Sequence, residues 1–361
     1  MTMYYGSDGK RYTISGTSFA HGGEGDIFKV DQHPDLLAKI LHDNTRSMGR
    51  YLKIKFWESI SNTLSADFLS QVAAPQTALF TSPACKSEDF CGFTMRRVED
   101  FESFDKVLEE NNLSLDQRVQ LSMNLATLVA SLHRVGVVLG DYNPQNFACH
   151  SCGLLTLVDI DSCQVTVEIK GMSKLLPCVA SQPDIRAPEL DRRLAQAEKT
   201  HTVSQSADNP LYNIDTDLYG LAYMIFTLLM SGCSPYAART DTSKMVYRHR
   251  QSTSASSFNG RAQKGIFVFA KPYDNLLPPR YAPDFKILSP ALRRLFKRAF
   301  IDGASDPSAR PTPEEFYEAL EKYRFQIKPR RKCGHYMPVH YLHKCEFCRI
   351  QEERESHTKV S

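Results

Sequence analysis

Short apolar runs dominate the first hundred residues, and longer runs at helical spacing follow them. "YTISGTSFA" and "GDIFKV" flank a glycine cluster, and "LLAKIL" and "FCGFTMRRV" have the length and composition of strands. Between them, "KFWESI" within 48–64 has helical spacing. From about Phe101 the pattern turns helical. Ser114 with Gln117 three residues on is a capping-box signal, and Leu121, Leu125, Leu128 and Leu132 make a stripe along one helix face. "DLYGLAYMIFTLLMSG" is apolar all round, which predicts a helix buried at the centre of a domain and too short to span a bilayer. "SPALRRLFKRAF" and "TPEEFYEALEKYRF" predict two further helices, and "QSTSASSFNG" a polar, flexible loop. After Lys328 the composition shifts to "KPRRKCGHYMPVHYLHKCEFC", a linker followed by a small module. There is no internal repeat.

Composition narrows the picture only slightly. The 361 residues allow two lobes or domains, and 42% hydrophobic and 24% charged residues are ordinary for a soluble protein. A formal charge of +3 points to neither a nucleic acid nor a membrane as partner. The opening "MTMYYGSDGKRY" lacks the apolar core of a signal peptide, so the ten cysteines read as thiols or metal ligands and the expected location is cytoplasmic.

Several polar positions carry candidate chemistry. Gly22, Gly23 and Gly25 sit between two strands, where missing Cβ atoms let backbone N–H groups approach phosphate oxygens. A plain hairpin turn has the same composition. Lys39 lies inside an apolar strand, either facing solvent or buried against an anion, and Glu58 is a carboxylate 19 positions downstream on the predicted helix. In "GDYNPQNF", Asp141 and Asn146 are held on a loop that Pro144 keeps from being helical, after the strand-like "VVL". "LLTLVDIDS" is a strand ending in Asp159 and Asp161.

In this order the motifs resemble those of eukaryotic-type protein kinases, over roughly Tyr12 to Phe325. The glycine cluster is similar to the Gly-rich loop, "LAKI" to the strand bearing the lysine, "GDYNPQN" to the catalytic D-x-x-x-x-N loop and "DID" to D-F-G. Ala187, Pro188 and Glu189 match A-P-E; Asp217 opens the buried helix, and Arg310 in "DPSARPTPEEF" stands where a partner of that glutamate occurs. "GGEGDIF", "GDYNPQN", "VDIDSCQV" and "RAPEL" look more narrowly like a bacterial subfamily. Its kinases are encoded beside a von Willebrand A-type protein of the tellurite-resistance type and a metal-dependent protein phosphatase.

The resemblance implies an α+β, bilobal protein-kinase-like fold, with a β-rich lobe over 1–98, a helical lobe over 99–327 and a zinc-binding module over 328–361. It implies ATP and Mg2+ as cofactors and transfer of the γ-phosphate to protein serine or threonine hydroxyls, autophosphorylation included. The backbone at Gly22, Gly23 and Gly25 would cover the β- and γ-phosphates. Lys39, held by Glu58, would bridge the α- and β-phosphates. Asp159 and Asn146 would hold Mg2+, and Asp141 would take the hydroxyl proton. Ile27, Ala38, Met95 and Val98, with backbone groups around Arg97–Glu99, would receive adenine. Glu189, Asp217 and Arg310 belong to the scaffold. An ATP-binding scaffold without transfer and a small-molecule phosphotransferase are the alternatives.

The sequence also departs from the family pattern. Ala20 replaces the loop's first glycine; Leu139 and Gly140 stand for the His and Arg of H-R-D, which makes activation by loop phosphorylation less expected. Asn143 replaces a lysine, and Asp161 replaces the D-F-G glycine, where it could bind metal or cap a turn. Thr166, Ser173 and Ser181 are modifiable positions between the landmarks. In the tail, Cys345 and Cys348 form a C-x2-C knuckle that Cys333 and a histidine would complete around tetrahedral Zn2+. His335, His340 and His343 compete, and the subfamily's spacing favours His340. Cys149 and Cys152 read as turn residues. The basic "KPRRK" motivates a nucleic-acid reader as a rival role for the tail.

Overall fold

The structure, a computed structural model, describes residues 1–31, 33–110, 112–178, 182–200, 211–241 and 257–358. Ser181 and the first six residues of "QSTSASSFNG" lie outside them; the rest of that segment opens a helix.

An antiparallel sheet comes first: β1 (Thr2–Gly6), β2 (Arg11–Ile14), β3 (Ala20–His21), β4 (Gly25–Val30), β5 (His33–Leu41), β6 (Pro75–Phe80) and β7 (Phe90–Arg96), in the order β2-β1-β6-β7-β5-β4-β3. Between β5 and β6 the chain forms α1 (Met48–Ile60) and α2 (Ala66–Gln71). Helix α1 packs on β6 and buries Ile54 and Trp57. Strand alternation then sorts β5. Leu37 and Lys39 face one side, while Ala38 on the other joins Tyr12, Ile14, Val30, Leu79 and Cys91 in a separate apolar cluster.

The remainder is mainly helical. It runs through β8 (Phe101–Ser103), α3 (Phe104–Glu110), α4 (Leu115–Arg134), β9 (Val137–Val138), β10 (Phe147–His150), β11 (Leu155–Leu157), the hairpin β12 (Gln164–Ile169) and β13 (Met172–Leu176), α5 (Pro188–Thr200) and α6 (Ile214–Leu229). Then come β14 (Arg239–Thr240), α7 (Phe258–Gln263), β15 (Leu276–Leu277), α8 (Pro290–Lys297), a π-helical turn leading into α9 (Gly303–Ser305), and α10 (Pro313–Arg324). Helix α4 carries the complete capping box at Ser114 and Gln117, and its four-leucine stripe is buried. Every residue of α6 from Thr216 to Leu229 is buried, with Phe226 packed edge-on against Phe267, Phe269, Phe296 and Phe300.

The tail does not hang from a linker. It forms β16 (Ile327–Pro329), β17 (Tyr336–Pro338) and α11 (Glu346–Thr358), and Met337, Tyr341 and Cys345 enter the same core as α4 and α6. Glu346 accepts from the Asp284 N–H at 2.9 Å and from the Tyr341 hydroxyl at 2.9 Å. Arg349 donates to the Arg280 and Ala282 carbonyls, each at 2.7 Å. Among the described residues no helix is long and apolar enough to cross a membrane.

Candidate functional site

A cavity of about 550 Å3 opens between the sheet and the helical part. Gly22, Gly23, Gly25 and Ile27 line it from the β3–β4 hairpin, Leu37 and Lys39 from β5, Met95 and Val98 from β7 and the segment after it. The opposite wall carries Asp141, Asn146 and Asp159. Residues 120 positions apart in sequence therefore meet: Lys39 Nζ lies 2.9 Å from Asp159 Oδ1.

Each group is placed by its local chain. Asp141 follows Gly140, whose φ is +73° and on which a Cβ would stand 2.8 Å from Cys178 Sγ, so both backbone conformation and space favour glycine. Asp217, fully buried in the first turn of α6, accepts from the Leu139 N–H at 2.7 Å and the Gly140 N–H at 2.8 Å, so a buried carboxylate pins the backbone just before Asp141. His133 Nε2 lies 3.0 Å from the same carboxylate. After Asp141, Asn143 caps a 3-10 turn that starts at Pro144 and carries Asn146. Farther off, Arg310 donates to both oxygens of Glu189 at 2.6 and 2.7 Å, a bidentate pair inside the scaffold.

The glycines divide by role. A Cβ on Gly25 would stand 2.5 Å from the Ile40 carbonyl, so its glycine serves the β4–β5 contact, whereas Gly23 meets nothing within 4 Å and leaves space above the cavity.

The charges reveal a partner the sequence did not suggest. Glu58 is not beside Lys39: it accepts from the Ala78 N–H at 2.6 Å and pairs with Lys55 and Ser7, tying α1 to the sheet. Lys39 instead meets Asp161 at 2.7 Å, and the second oxygen of Asp161 takes Arg50 Nη1 at 2.6 Å. Burial works against the charge on Asp161, but Lys39 and Arg50 outweigh it and hold the carboxyl well below the usual range. The same arrangement raises Lys39 against its own burial, Asp161 contributing most. Burial, then the charge of Asp161, push Asp159 upward, while Lys39 pulls the other way. Asp161 is thus an internal counter-ion, with one oxygen on Lys39 and the other on Arg50.

Asp141 differs. Its Oδ1 is buried without a hydrogen-bond partner, and burial raises its pKa. Asp141, Asn146 and Asp159 line the same cavity, where carboxylate and amide oxygens suit a hard divalent cation and a carboxylate can also accept a proton.

Two sequence expectations change here. Ala38 does not line the cavity; Leu37 does, because the strand period of two pairs it with Lys39. In the tail, the ligand atoms of Cys333, His335, Cys345 and Cys348 lie within 4.8 Å of one another. His335 Nδ1 is 3.5 Å from Cys345 Sγ and 3.3 Å from Cys348 Sγ, whereas His340 points to the Lys286 carbonyl at 3.3 Å. Gly334, with φ +73°, turns the chain between Cys333 and His335. Three thiols and an imidazole at this separation are compatible with tetrahedral zinc, whose ligand-to-ligand edge is about 3.8 Å at a Zn–S distance of about 2.3 Å.

No family model matches the chain. It is similar to Protein kinase YegI of Escherichia coli strain K12, with 26% identity over 363 residues, covering 94% of this chain and 49% of that protein. Protein kinase YegI of Escherichia coli O157:H7 is likewise 26% identical over 360 residues. The chain spans about half the length of the curated relatives it matches. Both relatives bear the name of a protein kinase.

Proposed function

We propose that the chain is an ATP- and Mg2+-dependent protein serine/threonine kinase of bilobal build, with its lobes over 1–98 and 99–327 and a zinc-braced tail over 328–361. The observation that carries this reading is the convergence of Lys39, Asp141, Asn146 and Asp159, from three separate segments, on one cavity beneath the glycine turn. Ile27, Leu37, Met95 and Val98 give that cavity an apolar end suited to a base, and the charged groups occupy the other end.

Phosphoryl transfer asks chiefly for positioning and charge neutralisation. Lys39, fixed by Asp161, would contact the phosphates, and the hairpin backbone at Gly22 and Gly23 would close over them. Asp159 and Asn146 would hold Mg2+, which supplies neutralisation of the phosphate charge. The hydroxyl oxygen bonds to the γ-phosphorus as the bond to the β–γ bridging oxygen breaks, and Asp141 takes the hydroxyl proton. A protein substrate, with a von Willebrand A-type protein and a metal-dependent phosphatase as the partners the resemblance brings forward, completes the reading.

The test is incubation with γ-labelled ATP, followed by phosphoamino-acid analysis. Wild-type protein should label serine or threonine on itself or a partner, and Asp141→Asn or Asp159→Asn should lower the rate about 100-fold or more. Binding without transfer would favour a scaffold, label on a small molecule a different phosphotransferase, and full activity in Asp141→Asn would remove the assigned base.

A further inference from the structure

We propose that Arg50, on helix α1, is a positioning residue for the nucleotide site, acting on Lys39 through Asp161 and on the glycine turn through Glu24. The inference rests on the reading of the cavity as a nucleotide site and adds to it the element that would set its geometry.

Four side chains alternate in charge across four segments. Lys39 reaches Asp161 Oδ1 at 2.7 Å, and Arg50 Nη1 reaches Asp161 Oδ2 at 2.6 Å. Arg50 also grips Glu24 with both nitrogens, Nη1 to Oε2 at 2.7 Å and Nη2 to Oε1 at 2.5 Å. Glu24 lies on the turn between Gly23 and Gly25, and its carbonyl accepts from the His42 N–H at 3.0 Å and the Thr45 hydroxyl at 2.6 Å. The Asp161 side chain is 1% exposed and Arg50 10%, so the inner links are shielded from water and removal of one leaves a buried charge uncompensated.

The placement of Arg50 carries information of its own. It is the third residue of α1, its N–H bonded to the Ser47 cap at 3.2 Å, and no acid occupies that first turn. A cation there opposes the helix dipole, so helix formation does not account for it; the two carboxylates do. One turn on, the buried Lys53 donates to the Ser162 carbonyl at 3.1 Å and the Pro177 carbonyl at 2.8 Å, the two ends of the stretch that holds the β12–β13 hairpin. Cations on one face of α1 therefore tie together the turn above the cavity, the counter-ion of Lys39 and the chain after Asp159. Glu58, two turns farther along, has its oxygens committed to the sheet and to Lys55 and takes no part.

The experiment compares wild type with Arg50→Gln, Arg50→Lys, Glu24→Gln and Glu58→Gln. Each chain is titrated with a fluorescent ATP analogue plus Mg2+ and assayed for phosphoryl transfer, with melting temperature as the folding control. Arg50→Gln should weaken binding and lower kcat/KM on the order of 10- to 100-fold. Arg50→Lys should recover part of the loss, and Glu58→Gln should stay within twofold of wild type. Wild-type affinity in Arg50→Gln, or an equal loss in Glu58→Gln, overturns the proposal. Should Arg50→Gln fail to fold, Glu24→Gln decides: a several-fold rise in Kd supports the link to the turn, and an unchanged Kd refutes it. A wild-type chain that binds the analogue and transfers nothing contradicts the kinase reading while leaving the binding comparison intact.

Discussion

Asp141 keeps one carboxylate oxygen buried and unpartnered, which costs stability and leaves a free site for a proton. Its folded pKa is raised, so the folded chain holds the proton more tightly than the unfolded chain does. The resulting contribution is present below the unfolded value of about 3.9 and is lost as pH rises through the folded one. Asp141→Asn should therefore melt at a higher temperature than wild type at pH 8, with the gap closing as pH falls toward the ordinary carboxylate range. Paired thermal melts across that pH range check this. At this scale the sequence exposed the residues that act and hid their partners. Lys39, Asp141, Asn146 and Asp159 follow from residue type and order, but whether Glu58 reaches Lys39 depends on the rotation of α1 about its axis, and the acid that does reach it comes from the chain after β11. Helical periodicity over 48–64 leaves that open. The signal that could have found Arg50 was a cation in a first turn without acids.

Elements hold these side chains in place, and their tolerances differ. Gly140→Ala forces a non-glycine residue to φ +73° and drives its Cβ against Cys178, for a loss of at least about 1–2 kcal/mol. Gly23→Ala enters open space and should stay within about 0.5 kcal/mol. Chemical denaturation of the two variants separates a glycine needed by the fold from one kept clear above the cavity. Helices α4, α6 and α10 were readable because capping boxes and continuous apolar faces are local signals. The assignment of Ala38 failed because the motif was aligned on the lysine's immediate neighbour, whereas the pleat places the residue two back on the same face. Leu37 follows from period two alone.

Across the whole molecule, the tail is part of the fold. Cys333, His335, Cys345 and Cys348 gather beside a segment whose Met337, Tyr341 and Ile350 are buried, so a metal there would brace the helical part. Elemental analysis should find one zinc per chain, lost in His335→Ala and in Cys345→Ser with Cys348→Ser, and kept in His340→Ala; chelation should lower the melting temperature. The subfamily's spacing favoured His340, but the cluster contains His335, because the chain turns at Gly334 and His340 is drawn to Lys286. The larger convergence brings segments from both parts of the molecule to one cavity, which the proposed function fills with a nucleotide. A crystal structure with a non-hydrolysable ATP analogue and Mn2+ tests it most directly. The account predicts the triphosphate under Gly22 and Gly23 beside Lys39, with anomalous Mn2+ peaks at Asp159 and Asn146; a nucleotide bound elsewhere, or no metal at those two side chains, would contradict it.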